Sequence, residues 1–462
     1  MYRTKETAGK PAITAAIGLA RRTLILLIVL ALSAGQASVA EAFKSPLEEY
    51  LNPFGDEWRL AERNPDIPLM APIACLRALP EDLRAATPEQ NAFLSQLAAP
   101  LVWGGCINVM SPPELVPRDL LPQASLDRIA ELKSHHPGQR FLGYTDVAQF
   151  SSALAGFQDI AKDHQDWFIH HAVAPAGGDS IVRMRSGAKM MDITNAEFQR
   201  FIADHIKLSL ETYGLDGLLI DGVSPTPANR TDPENVPKAI RDGWAAGWVD
   251  LIRAVKQAVG EEKLVFANVN ESEAEMVRSV IGGADGVFLE DPLGALAIDL
   301  EKSRKRAYFE NAVSAAASQD KYVINSVNTN INRTTFATTS AELEQRYATY
   351  YTAGHLMFFE GTKALMLYYT PSRSGVQFRS QPFFTDWNLR VGPSKSRYEL
   401  VADGVYRREF QNAWVYLNNG EEPYEAGFPE PVRTPEGEQV ELYTVPPKSG
   451  MIFMREPLQT RQ

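Results

Sequence analysis

Little cysteine, no basic surplus and no long apolar run set the first limits on this chain. Only Cys75 and Cys106 occur among its 462 residues, too few for a thiolate zinc site. In an oxidising compartment they could close a disulfide loop of about 30 residues; otherwise they are two buried thiols. The apolar run Leu24–Leu32 has about half the length of a spanning helix. Arg3, Lys5, Lys10, Arg21 and Arg22 precede it, and Ser38-Val39-Ala40 follows as a small-residue cleavage site. That is the layout of a secretory signal over residues 1–40. Without it the chain has 41 basic and 56 acidic residues, a net charge of −15. Phosphate neutralisation needs a basic surplus, so this balance argues against nucleic acid as a partner and suits an exported protein. The expected setting is therefore secreted or periplasmic, with no stable membrane span once the signal is cut.

Three motifs are also missing. No G-x-G-x-x-G follows the early strand-like segments, which removes support for a dinucleotide site. No G-x-S-x-G anchors a serine-hydrolase triad. No D-x-D-x-D run points to a hard cation, so neither cofactor nor metal is expected.

What is present is ordinary globular composition, 45% hydrophobic and 22% charged. Residues 41–68 are turn-rich, with Pro46, Pro53, Pro65 and Pro68, and read as an N-terminal extension. Strand-like and helix-like segments then alternate. The candidate strands are Leu69–Leu76, Leu101–Val109, Arg140–Val147, the stretch ending at Asp221, Leu264–Val269, the stretch ending at Glu290, Lys321–Val327 and His355–Phe359. Between them lie amphipathic helices, one carrying Phe198, Ile202, Ile206 and Leu210, another Trp244, Trp248, Ile252 and Val255. Thr194 and Glu197 have the spacing of a capping box, and Pro292 is expected to open a long helix. Eight strands joined by helical crossovers make a (β/α)8 TIM barrel over residues 69–380 the expected fold, with an open doubly wound sheet as the alternative. Beyond that, short runs such as Arg390–Val391, Gly404–Phe410, Ala413–Leu417, Gln439–Tyr443 and Met451–Met454 lose the helical period. They predict a small C-terminal antiparallel β-domain, sandwich-like, over residues 386–462.

The chain repeats one phrase. Gly214-Leu215-Asp216-Gly217-Leu218-Leu219-Ile220-Asp221 is echoed sixty-nine residues later by Gly283-Ala284-Asp285-Gly286-Val287-Phe288-Leu289-Glu290. Each is a short apolar strand ending on a carboxylate. Barrel enzymes carry their chemistry at the C-terminal ends of strands, so Asp221 and Glu290 are the candidate catalytic pair. Burial and a neighbouring carboxylate push carboxyl pKa values apart, the division of labour that glycoside hydrolysis uses. The bland alternatives are a loop-bonding aspartate and a salt-bridged glutamate. Asp216 and Asp285 stand at the strand starts, the wrong end, and read as turn-makers. Asp291 reads as the cap of the next helix.

Other strand-end residues could bind sugar. Asn268 and Asn325 could bond hydroxyls, and Tyr144, Trp103 and Trp167 could stack on sugar faces, although core packing is the bland reading for any aromatic. Asp146, Asn270, Glu271 and Glu360 also fall at strand ends. His170 and His171 are neighbours whose side chains point apart, a weak metal signal.

Two stretches carry a family resemblance. Met191-Asp192-Ile193-Thr194-Asn195, followed by Tyr213 through Asp221, resembles family 15 of the hypothetical glycosyl hydrolases, a barrel group similar to endo-α-1,4-polygalactosaminidases. Asp386 through Pro393 and Asp403 through Phe410 resemble the closing β-segment of the same group, so the similarity runs from about Arg140 to Leu417. The resemblance implies a (β/α)8 barrel and an acidic pair at Asp221 and Glu290. Asp192, inside the first motif, joins the substrate-binding candidates. The expected activity is hydrolysis of an oligo- or polysaccharide. The alternative is a non-catalytic carbohydrate-binding barrel in polysaccharide export or envelope maintenance.

Overall fold

The computed structural model describes residues 71–72, 101–108, 140–150, 162–173, 180–269, 274–293, 305–328, 341–359, 363–369 and 389–455, with a few isolated positions besides. Residues 1–40, the N-terminal extension and Cys75 lie outside these residues, as do Asn270, Glu271 and Glu360. Eight parallel strands form one sheet: β1 (Ala71–Pro72), β2 (Leu101–Asn108), β3 (Arg140–Thr145), β6 (Gly217–Ile220), β7 (Leu264–Asn268), β8 (Gly286–Glu290), β9 (Tyr322–Asn328) and β10 (Ala364–Tyr369). They pair in that order, and β10 returns beside β1, so the sheet curls into a barrel. The short pair β4 (Gln149–Phe150) and β5 (Lys189–Met190) lies in the long connection after β3.

Side chains alternate across each strand, so every second residue faces the barrel axis. Leu142, Leu219, Phe266, Phe288, Ile324 and Leu365 form one buried interior cluster. Each such side chain contributes about 1.5–3 kcal/mol by leaving water. The outward residues between them, such as Leu218, Val265, Val287 and Val323, join a second and larger core beneath the helices. These are α1 (Ala196–Thr212), α2 (Lys238–Val259), α3 (Ala274–Gly283), α4 (Lys305–Ser318) and α5 (Ala341–Phe358). In α1, Phe198, Ile202, Ile206 and Leu210 fall on one stripe and are buried. Its cap is Asn195, whose side chain accepts from the backbone N–H of Glu197 and Phe198. Thr194, the expected cap, sits one residue early and bonds Asp192 instead. In α2, Trp244 and Trp248 meet edge to face at 6.2 Å.

The repeated phrase has a structural counterpart at the strand starts. Asp216 accepts from the Phe141 N–H and pairs with Lys133 at 2.7 Å. Asp285 accepts from the Val265 N–H and pairs with Lys256 at 2.9 Å. Both aspartates pin a strand to the one before it at the end away from the barrel mouth. Gly217 and Gly286 follow them because a Cβ would stand 2.1 Å from Leu264 O and 2.6 Å from Tyr322 O.

Three expectations shift. His355–Phe359 is not a strand: it is the end of α5, and the eighth strand follows at Ala364–Tyr369. Pro292 does not start α4, whose first residue is Lys305. Asp291 therefore caps no helix there; it is buried in the left-handed region at φ 46° and takes a hydrogen bond from Tyr351.

The C-terminal sheet is antiparallel, in the order β11 (Glu399–Ala402), β12 (Val405–Glu409), β13 (Ala413–Asn418), β16 (Ser449–Met454), β14 (Tyr424–Arg433), β15 (Gln439–Val445). Arg390–Val391 stays outside it. The β14–β15 ribbon is hydrogen-bonded to β16 at the pair Arg433–Met454 and packs Phe428 and Tyr443 against Phe453, in a small core with Tyr416, Ala426, Val432 and Val445. On the other side β13 and β16 pack on α5. Buried Arg408 donates to the carbonyls of Leu356 and Met357, closing the buried C-terminal end of α5 with a positive charge where the helix dipole is negative.

Candidate active site

The inward period of the strands decides which side chains reach the mouth. Above the apolar layer, β3 turns Tyr144 and then Asp146 inward, β6 leads to Asp221, β7 ends on Asn268, and β8 ends on Glu290. Asp221 and Glu290 thus occupy matching places on strands either side of β7. Asn268 stands between them: its Nδ2 lies 2.7 Å from Asp221 Oδ1 and 3.4 Å from Glu290 Oε2. Asn268 is buried, and its own Oδ1 has no hydrogen-bond partner among the described residues.

Asp221 is surrounded by donors. The Tyr144 hydroxyl donates to Oδ2. The Gly222 N–H donates to Oδ1 at 2.6 Å, beside the Asn268 amide. Burial and then the Asp221 charge push the Tyr144 phenol far above its ordinary value, so it remains a donor. Asp146 pairs with Arg230 at 2.8 Å and accepts from the Ala148 N–H at 3.2 Å. Burial raises the Asp146 carboxyl, Arg230 opposes that rise, and the nearby Asp221 adds to it. Arg230 comes from the loop after β6 and was not legible as a site residue. Its only sequence signal is an arginine nine positions after Asp221 in a Pro- and Asn-rich loop.

The remaining candidates scatter. Asn325 does not face the mouth: it lies on the outward phase of β9, fully buried, with Nδ2 at 3.4 Å from Nδ1 of His355 on α5. The residue of β9 that pairs with Glu290 is Ser326, one position on. A one-residue offset moves a side chain to the opposite face of a strand, and that is the error. Asp192 lies in the β3–α1 connection, where its Oδ1 takes the N–H and hydroxyl of Thr194 at 2.9 and 2.6 Å. Trp167 is core, stacked on His164 at 3.9 Å and packed against Phe198 and Phe201. The backbone of Trp103 pairs with Leu142, below the Tyr144 level; its side chain lies outside the described residues, as does that of Cys106.

Among the described residues no group of three or more His, Cys, Asp or Glu side chains is gathered to hold a metal ion. No described helix is long and apolar enough to cross a membrane.

The family described as hypothetical glycosyl hydrolase family 15 matches residues 139–414. No curated protein matches the sequence. Among solved structures, an Anoxybacillus α-amylase aligns with a TM-score of 0.53 at 11% identity, covering 87% of this chain and 100% of the amylase. A maltogenic α-amylase from Thermotoga neapolitana gives 0.51 at 12%, with 85% and 98% covered. Trehalose-6-phosphate hydrolase from Bacillus licheniformis gives 0.51 at 10%, with 79% and 94% covered. At these identities the likeness is one of fold, an α/β barrel followed by a β-domain.

Proposed function

The chain belongs to hypothetical glycosyl hydrolase family 15, and we propose that it is an exported glycoside hydrolase that cuts an oligo- or polysaccharide with Asp221 and Glu290. The observation that carries this reading is the shared Asn268 amide. Two oxygens bonded to one nitrogen at 2.7 and 3.4 Å stand no more than about 6 Å apart. Retaining glycosidases hold their carboxyls about 5–5.5 Å apart, and inverting ones about 6.5–9.5 Å, to admit a water. The spacing therefore favours retention.

Asp221 is the nucleophile. Three donors fix its oxygens as acceptors, and its place at the end of β6 aims it across the mouth. Its carboxylate attacks the anomeric carbon while Glu290 gives a proton to the departing glycosidic oxygen, so the C–O bond breaks as the glycosyl ester forms. Glu290 then takes a proton from water, the water oxygen attacks the same carbon, and Asp221 is released. Export rests on residues 1–40, with their basic start, short apolar run and small-residue end, and points to a secreted or periplasmic enzyme.

A panel of glycans tests the reading. Wild type should cleave at least one of them, and Asp221→Asn and Glu290→Gln should each lose about 100-fold or more in kcat. Full rates in both variants would remove the pair from the mechanism.

A further inference from the structure

One side chain covers the turn that follows Asp221. Gly222 has φ at +71°, a left-handed conformation that favours glycine. The Arg230 guanidinium crosses over it and fills the place a side chain would take: a Cβ at Gly222 would stand 1.2 Å from Nη2 and 2.4 Å from Cζ. Gly222 also gives its N–H to Asp221 Oδ1 at 2.6 Å. Arg230 therefore packs on the residue that holds one oxygen of the proposed nucleophile. Its other contact leads back to the same carboxylate. Nη1 donates to Asp146 at 2.8 Å. Asp146 stands two residues after Tyr144, whose hydroxyl donates to the other oxygen, Asp221 Oδ2. One guanidinium thus leans on both supports of Asp221, directly at Gly222 and through Asp146 at the end of β3.

The backbone that carries it is fixed. Arg230 O accepts from the Arg185 N–H at 2.8 Å, and the Thr231 hydroxyl donates to Arg183 O at 3.0 Å. The Arg185 guanidinium donates to Ala228 O at 3.1 Å. The Arg230 and Asp146 side chains are 8% and 9% exposed. Taking two charges out of water costs about as much as their attraction returns, so a buried pair is a weak stabiliser beside apolar side chains of similar volume. Its place against Gly222 accounts for it better than stability does.

We propose that Arg230 is a positioning residue: held by Asp146, it clamps the Asp221–Gly222 turn and so fixes the angle at which the Asp221 carboxylate meets the sugar. This rests on the reading of Asp221 as nucleophile. In this role Arg230 acts through Asp221, not by contact with the sugar. A planar guanidinium suits the role, because it lies flat on a glycine while one arm bonds a carboxylate; a lysine ammonium can do only the second. Misplacing an attacking group by about 1 Å can cost about 100-fold in rate, so a slightly loosened turn is measurable in kcat.

Two measurements on the full chain test this. The first is a kinetic cycle with Arg230→Lys and Asp221→Ala, on a glycan that wild type cleaves, with sodium azide standing in for the missing carboxylate. Arg230→Lys keeps a charge for Asp146 and should fold like wild type, yet lose about tenfold or more in kcat with KM little changed. Arg230→Gln, planar but uncharged, is the second variant and should give the same pattern. In the Asp221→Ala background with azide, either change should cost less than about twofold, because the group it positions is gone. Equal losses in both backgrounds would place Arg230 on the substrate and overturn the proposal, as would wild-type kcat in both single variants. The second measurement needs no turnover. It follows the carbon-13 resonance of the Asp221 carboxyl in protein labelled at aspartate Cγ, assigned by its absence in Asp221→Asn. The resonance should shift in Arg230→Lys and Arg230→Gln, and an unmoved one overturns the proposal. A shifted resonance in a chain that cleaves no glycan would sink the hydrolase reading and leave Arg230 its hold on Asp221.

Discussion

Tyr144 on β3 donates its phenolic hydrogen to Asp221 at the end of β6. This contact joins two strands at the barrel mouth and holds one oxygen of the proposed nucleophile in place. The sequence suggests sugar stacking for Tyr144; its tip, not its ring face, is what the structure ties to the carboxyl pair. Tyr144→Phe removes one hydrogen bond to a charged group, worth about 1.5–3 kcal/mol. The expected loss is about 10- to 100-fold in kcat with a folded protein, read by steady-state kinetics beside circular dichroism. An unchanged kcat would reduce the contact to a structural one.

The same phenol has an alkaline consequence. Its folded value is raised above the ordinary one of about 10, with burial the larger cause and Asp221 the next. The folded state therefore holds this proton more tightly than the unfolded chain. That contribution is whole below about pH 10 and is lost as pH climbs above it. Denaturant titrations from pH 9 to 11 should show wild type losing stability more steeply than Tyr144→Phe; parallel curves would contradict this.

Asp216 and Asp285 predict the opposite pattern, a loss of stability without a loss of chemistry. Each accepts a backbone N–H from the preceding strand and pairs with a half-buried lysine far from the mouth. Asp216→Ala and Asp285→Ala leave those donors unmatched, at about 1–3 kcal/mol each. Urea midpoints should fall, and kcat at a temperature where the variants stay folded should match wild type. A large kcat loss with no change in midpoint would put them in the wrong role.

His355 supplies an acid-side prediction. It is fully buried between Asn325 and Phe359, and burial pushes its value down to about 3. The unfolded chain binds that proton near pH 6.5 and the folded protein does not. Stability is thus complete above about pH 6.5 and is lost as pH falls toward 3, at about 1.4 kcal/mol per pH unit. Thermal melts between pH 6.5 and 4 should fall less steeply for His355→Gln than for wild type. Equal slopes would mean that another group governs the acid limb.

How much of this was legible beforehand depends on the kind of signal. The parallel barrel was readable because apolar strands and amphipathic helices have different periods, and the two echoed strands mark their own ends with a carboxylate. The eighth strand lies further on than expected because His355–Phe359 is an apolar run too short to reveal its period, and it sits at the end of α5. Asn325 was misjudged by a single residue, since a strand's face reverses at every step and the pairing of Glu290 with Ser326 is not visible in one strand alone. Asp192 carried a motif but no period, and the fold gives it a turn at the start of α1. Arg230 gave almost no warning. It lies in an irregular loop, eighty-four positions from the Asp146 it pairs with, and only its crossing of Gly222 in space reveals the relationship.

The central claim is that Asp221 attacks the sugar and Glu290 handles the proton, with retention. Removing the nucleophile and offering a small anion in its place tests this most directly. Asp221→Ala, assayed with and without sodium azide on a glycan that wild type cleaves, should be inactive alone. With azide it should regain turnover and release a glycosyl azide of anomeric configuration opposite to the substrate. Wild-type turnover by Asp221→Ala without azide, or an inverted sugar as the first product of the wild-type enzyme, would contradict it.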